Sequence, residues 1–190
     1  ATDLLTATTY KARVRNVCGD DEISNWSDIL TFSTLCAEEL TIPYTEEFAN
    51  LNCWTVMSTA ELWGTSYPSI EEGWGEGIDD GNVLTSSGDG VALFANNSPI
   101  GFDVSETEIR FKARAYYDYA APTMMLGYVT NLQDTSTFVP LDTILITTSD
   151  YYSEYSVNTS TWELEEGINY YFAIKIMVSY SWDGVYLDNV

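Results

Sequence analysis

Apolar and polar residues alternate at period two along short runs, and nowhere does the sequence sustain the three-and-four spacing of an amphipathic helix. In TEIRFKARAYY, residues 107–117, Ile109, Phe111, Ala113 and Ala115 fall on one face of an extended strand and Arg110, Lys112 and Arg114 on the other. NYYFAIKIMVSY, residues 169–180, repeats the pattern with Phe172, Ile174, Ile176 and Val178 pointing inward. GDGVALFA, PTMMLGYVTN and DTILITT read as further strands, separated by the Gly, Asn, Asp and Ser that make turns. At least eight short strands follow residue 40, enough for an antiparallel two-sheet sandwich.

With 190 residues, 45% of them hydrophobic, the chain can fill one large core or two smaller ones. Only seven basic residues face 29 acidic ones, and a net charge of −22 repels phosphate backbones and anionic head groups. Nucleic acid and membrane surfaces are therefore excluded as partners, and without an apolar run of 18 residues this segment inserts into no membrane. The opening ATDLLTATTY carries no secretory signal, so any export signal is expected upstream of it. The basic residues cluster as Lys11, Arg13 and Arg15 and as Arg110, Lys112 and Arg114, each at period two. In so acidic a chain these runs read as ion-paired solvent faces rather than as an anion-binding stripe, and no site is assigned to them.

Histidine is absent, which removes Ser-His-Asp and Cys-His nucleophile systems and most zinc sites. Cys18, Cys36 and Cys53 are too few and too far apart for a thiolate cage, although a disulfide in an exported protein is allowed. Paired carboxylates raise the question of glycoside hydrolysis, yet among 29 acidic residues some pair meets any required separation by chance. No E-x-D-x-x-E run is present either, and the expectation is a noncatalytic protein.

The first 36 residues differ from the rest: two strands, Tyr10 to Val17 and Ile29 to Thr34, flank an acidic polar loop. This stretch resembles the C-terminal part of a fibronectin type III domain. Leu4 and Tyr10 match its tyrosine corner, Tyr10, Ala12 and Val14 the inward face of one strand, and SNWSDILTFST the run into the last. Such an immunoglobulin-like sandwich takes about 100 residues, so only its final third is represented, and two strands alone bury no core. The expected boundary is CAEELTIP, giving domains 1–36 and 37–190.

Residues 37–190 resemble the MAM-like jelly-roll domains of bacterial cell-surface and secreted adhesins. The matching stretches are IPYTEEFANLNCWTV, LGYVTNLQDTSTFVPLDTI, YYFAIKI and WDGVYLDNV. The resemblance implies first and last strands lying side by side and a structural Ca2+ where an early Glu meets a late Asp. Here those positions are Glu46 or Glu47 and Asp188. Calcium takes roughly six to eight oxygen ligands, and neighbouring strand residues point to opposite faces, so one glutamate is expected to be ligand and the other surface; Glu47 is the preferred ligand. The alternative is that both glutamates are solvated and Asp188 is a strand-end turn residue. The same resemblance implies a disulfide between Cys36 and Cys53, with Cys18–Cys36 as the alternative pairing.

A second acidic stretch, SIEEGWGEGIDDGN, holds Glu71, Glu72, Glu76, Asp79 and Asp80 among glycines, but lacks EF-hand spacing and reads as a surface loop. Large aromatics are mostly core, as expected for Trp54 and Trp182, whereas Trp74 between glycines and nearby Tyr67 are candidates for exposed ligand contacts. The expectation is thus an all-β, extracellular, calcium-bearing adhesion or ligand-binding module of a larger bacterial surface protein. Its partners would be a glycan or protein at a cell surface and the flanking domains of the same polypeptide. The alternatives are a structural repeat of a surface filament or layer, and part of a secreted glycoside hydrolase or protease.

Overall fold

The computed structural model describes residues 4, 6–18, 22–48, 50–59, 67–72, 82–87, 90–117, 121–147, 149–179 and 183–190. Contacts divide the chain into two compact units, Ala1–Ala37 and Glu38–Val190.

In the first unit β1 (Thr9–Ala12) pairs antiparallel with β4 (Leu30–Ser33). Two short strands, β2 (Val17–Cys18) and β3 (Glu22–Ile23), pair within the connection between them. Register places Tyr10, Ala12, Leu30 and Phe32 on one face and Thr9, Lys11, Thr31 and Ser33 on the other. The Tyr10 and Phe32 rings stack at 5.9 Å, and the Thr9 and Ser33 hydroxyls lie 2.8 Å apart on the polar face. The inward face expected from sequence is uncovered within this unit, with Val14 72% and Leu30 65% exposed. Two strands have no opposing layer to bury against, which is the physical reason. Arg13 and Arg15 each place a guanidinium carbon 4.5 Å from the centre of the Trp26 ring. This basic run therefore engages an aromatic face where ion pairs were expected.

The second unit is an all-β sandwich. Its strands are β5 (Trp54–Thr59), β6 (Tyr67–Glu72), β7 (Asn82–Ser87), β8 (Gly90–Asn96), β9 (Glu108–Ala115), β10 (Thr123–Val129), β11 (Val139–Leu145), β12 (Ser153–Asn158), β13 (Tyr171–Val178) and β14 (Gly184–Asp188). They form two five-stranded antiparallel sheets, ordered β11-β10-β13-β8-β5 and β12-β9-β14-β7-β6. Between the sheets lie Phe94, Phe111, Leu126, Ile174, Ile176 and Leu187, all buried, with the alternation of β9 and β13 supplying the inward rows.

β8 is buried at every position, because its sheet is covered on both sides. Phe94 faces the main core, whereas Leu93 and Ala95 join Met57, Val129 and Ala173 in a second cluster capped by Leu132 and Phe138 from the β10–β11 connection. Strands covered on both faces read as continuous apolar runs rather than alternating ones. In β10 the pairing register with β11 shifts at Leu126/Gly127, and a Cβ at position 127 would sit 2.0 Å from the Val139 carbonyl oxygen. Glycine is required there by close approach of backbone, and Pro140 falls on the edge strand, where a missing N–H costs little.

Candidate functional site

The segment following Leu40 closes the sandwich. Leu40 forms a parallel bridge with Ile100, and the Glu46 and Val190 backbones exchange hydrogen bonds of 2.6 and 3.1 Å. This brings the start of the unit against its last residues. Phe48 and Asn189 both sit in left-handed backbone conformations, at φ 49° and 52°, so neither position continues a regular strand. The turn at Phe48 drives its ring fully into the core, where it packs on Trp54 at 6.0 Å; Trp54 meets Phe94 edge-on at 5.4 Å.

The two glutamates of this segment diverge. Glu46 is half-buried, and its carboxylate accepts hydrogen bonds from the Phe48 N–H, the Tyr44 hydroxyl and the Trp54 Nε1–H, each at 2.9 Å. Asn96 donates in turn to the Tyr44 oxygen at 3.1 Å. Burial, and then the Glu46 charge, push the Tyr44 hydroxyl well above its ordinary pKa. Glu46 is thus a carboxylate spent on holding the segment to β5. Glu47 is exposed and lines a surface cleft. Asp188 is wholly buried at the end of β14, with Lys112 as its cross-strand neighbour. Among the described residues no three His, Cys, Asp or Glu side chains gather closely enough to hold a metal ion. Cys36 and Cys53 are disulfide-bonded, and Cys18 is exposed and free.

The second basic run splits along one strand face, which corrects the expectation of a uniformly solvated stripe. Arg110 is exposed and bonded to Glu108, with Nη2 2.7 Å and Nε 2.8 Å from Oε2. That guanidinium holds the Glu108 carboxyl below the usual range, the opposite of the shift a general acid needs. Arg114, four residues on, is wholly buried. Its guanidinium carbon stands 4.4 Å from the Tyr186 ring centre and 5.5 Å from that of Tyr152, and Nη1 donates to the Ser149 carbonyl at 2.6 Å. Tyr116 stacks on Tyr186 at 4.2 Å. The chain around Ser149 and Tyr152 therefore covers one end of a sheet face that stays open at the other. Sequence reasoning missed this, although the tyrosines in RAYYDY and DYYSEY were its available signal.

Two concavities meet at the open end. An apolar groove of about 490 Å3 is lined by Ile42, Tyr44, Phe102, Ile109, Trp162 and Val190, among others. A polar cleft of about 710 Å3 is lined by Glu47, Lys112, Glu154, Ser156 and the half-buried Tyr155, whose ring stacks on Phe111 at 5.3 Å. Glu108, Arg110 and Asn189 line both. Of the aromatic ligand candidates, Tyr67 begins β6 paired with Ser87, but its side chain and all of Trp74 lie outside the described residues, as does Trp182. The described part of the acidic 69–82 stretch is confined to strand backbone, the exposed Ser69 and Ile70, which packs on the core.

No protein-family model matches the chain, and no curated protein matches it in sequence. Solved structures do match in fold. The K2 cleaved adhesin domain of Lys-gingipain is 13% identical with a TM-score of 0.53, over 77% of this chain and 96% of that one. The carbohydrate-binding module TmCBM61, solved in complex with β-1,4-galactotriose, is 9% identical with a TM-score of 0.50, over 80% and 94%. A structure of carbohydrate-binding modules from the β-sandwich superfamily is 15% identical with a TM-score of 0.50, over 95% and 72%. At these identities what is shared is the β-sandwich fold of adhesin and carbohydrate-binding domains.

Proposed function

We propose that this chain is a noncatalytic, extracellular recognition module that binds a glycan or a protein at a cell surface. The observation that carries this reading is the open, sugar-sized pair of concavities at one end of a sandwich whose fold is shared with adhesin and carbohydrate-binding domains. Disulfide-bonded Cys36 and Cys53 agree with an oxidising, exported location. In this reading residues 1–36 are the tail of a fibronectin type III domain acting as spacer, and 37–190 are a MAM-like jelly roll acting as recognition unit. A broad glycan array and a panel of immobilised extracellular proteins test it; micromolar binding to at least one is the expected result, and a flat response to all overturns it.

The uncovered apolar face of β1 and β4 favours a second reading, a structural repeat whose missing layer comes from flanking domains or neighbouring chains. Light scattering on the intact polypeptide distinguishes the two, since a filament subunit self-associates and a spacer does not. Calcium belongs to the same proposal, with Glu47 and Asp188 as ligands. Their carboxylate oxygens suit a hard cation, and Glu46, already accepting three hydrogen bonds, is the residue least suited to join them. An unchanged melting temperature on chelation, together with wild-type behaviour of Asp188→Ala, removes calcium from the account.

A further inference from the structure

We infer that the groove and cleft form one continuous site for a neutral saccharide that presents a methyl group, either the methyl of an acetamido substituent or that of a 6-deoxy sugar. This rests on the binding-module reading above and deepens it. The two concavities share Glu108, Arg110 and Asn189, so a ligand crossing that boundary passes from an apolar trough to a polar floor without leaving the surface.

Each side narrows the ligand class. The groove holds Ile42, 55% exposed, and Tyr44, 38% exposed, beside Phe102 and Trp162. Open apolar surface at this spot in a chain of net charge −22 suits a partner that brings its own apolar group. The cleft sets Glu47, Glu108 and Glu154 against Arg110 and Lys112, acceptors and donors interleaved. Register pairs Glu154 with Lys112 and Ser156 with Arg110 across β12 and β9. Sugar hydroxyls both donate and accept, and are matched by such a mixed set. An anionic ligand meets three carboxylates against two cations, and a wholly apolar one desolvates the charged floor without offering it a hydrogen bond. The Glu108–Arg110 ion pair fixes the guanidinium plane before any ligand arrives, which limits the ordering cost of binding.

The test is titration calorimetry on the intact chain, with calcium present, using N-acetylated chitotriose and cellotriose. These share a β-1,4 backbone and differ in the acetamido group. The expected result is a preference of about tenfold or more for the acetylated trimer, the discrimination one apolar group earns in a fitted pocket. Ile42→Glu, an exposed position, is expected to abolish that preference, and Arg110→Ala to weaken both trimers. Matched glycan pairs on an array, with and without acetamido or 6-deoxy groups, extend the comparison beyond this backbone. Glycan binding that ignores the substituent and both substitutions overturns the inference while leaving a sugar-binding module intact. Binding to no glycan at all removes this inference, and with a silent protein panel it removes the recognition reading too.

Discussion

The β1–β4 pair and the strands β9 and β13 carry the same sequence signature, yet among the described residues of their own units one face is uncovered and the other is packed. Tyr10, Ala12, Leu30 and Phe32 share a face as cleanly as Phe172, Ile174 and Ile176 do. Only the second set meets an opposing sheet. Alternation therefore specifies which face a strand offers, and the second layer decides whether that face becomes a core. The same lesson recurs on a finer scale along β9, where Arg110 and Arg114 share an outer face that is open at one end and roofed at the other.

The largest effect expected from breaking this contrast comes from aromatic truncation. Phe94→Ala removes a fully buried ring from between the sheets and is expected to cost about 3–5 kcal/mol in urea unfolding. Phe32→Ala removes a partly exposed ring with no opposing layer among the described residues of its unit and is expected to cost about 1 kcal/mol or less. Equal costs would show that the hairpin has a covering partner in solution. Next in size, Arg114→Ala takes a buried guanidinium from between Tyr186 and Tyr152 and is expected to cost about 3 kcal/mol, whereas Arg110→Ala is expected to leave the unfolding midpoint unmoved. A silent Arg114→Ala would mean that the roof over β9 holds without its cation.

Smaller still is the effect of pH on the seam. The Tyr44 hydroxyl is raised above its ordinary value of about 10, so its contribution is complete below that pH and is lost as pH rises through the folded-state value. Stability is expected to fall on the alkaline side of about pH 10, and Tyr44→Phe to fall less steeply there. At neutral pH the same substitution is expected to cost about 1 kcal/mol, for the donor lost to Glu46 and the acceptor lost to Asn96. An alkaline limb unchanged by Tyr44→Phe would assign the loss to other tyrosines, of which Tyr128 and Tyr152 are also raised by burial.

The sandwich class was legible because period two writes itself into β9 and β13, and the inward rows Ile109–Ala115 and Phe172–Val178 fell where the alternation placed them. What escaped were features set by distant cover. Nothing local to Leu93 and Ala95 announces that Leu132 and Phe138 will fold over them. Likewise Arg114 looks identical to Arg110 until Ser149 and Tyr152 arrive from 35 and more residues away. At the seam Glu46 and Glu47 lie on no strand, so the alternation expected of them had no strand to act on, and which carboxylate Trp54 and Tyr44 consume depends on the left-handed turn at Phe48. The groove was illegible for the same reason, since its walls come from segments around 40, 102, 109 and 162 that only the closed fold assembles.

The seam that closes the second unit has a dynamic meaning. The Glu46 and Val190 backbones exchange two hydrogen bonds, so the early segment and the last residue of the second unit hold each other in place. The Tyr44–Glu46–Trp54 latch and one wall of the groove lie on this same segment. Local fraying is therefore reciprocal: loosening Val190 strips Glu46 of both backbone partners, and loosening Glu46 frees the last residue of β14's trailing end.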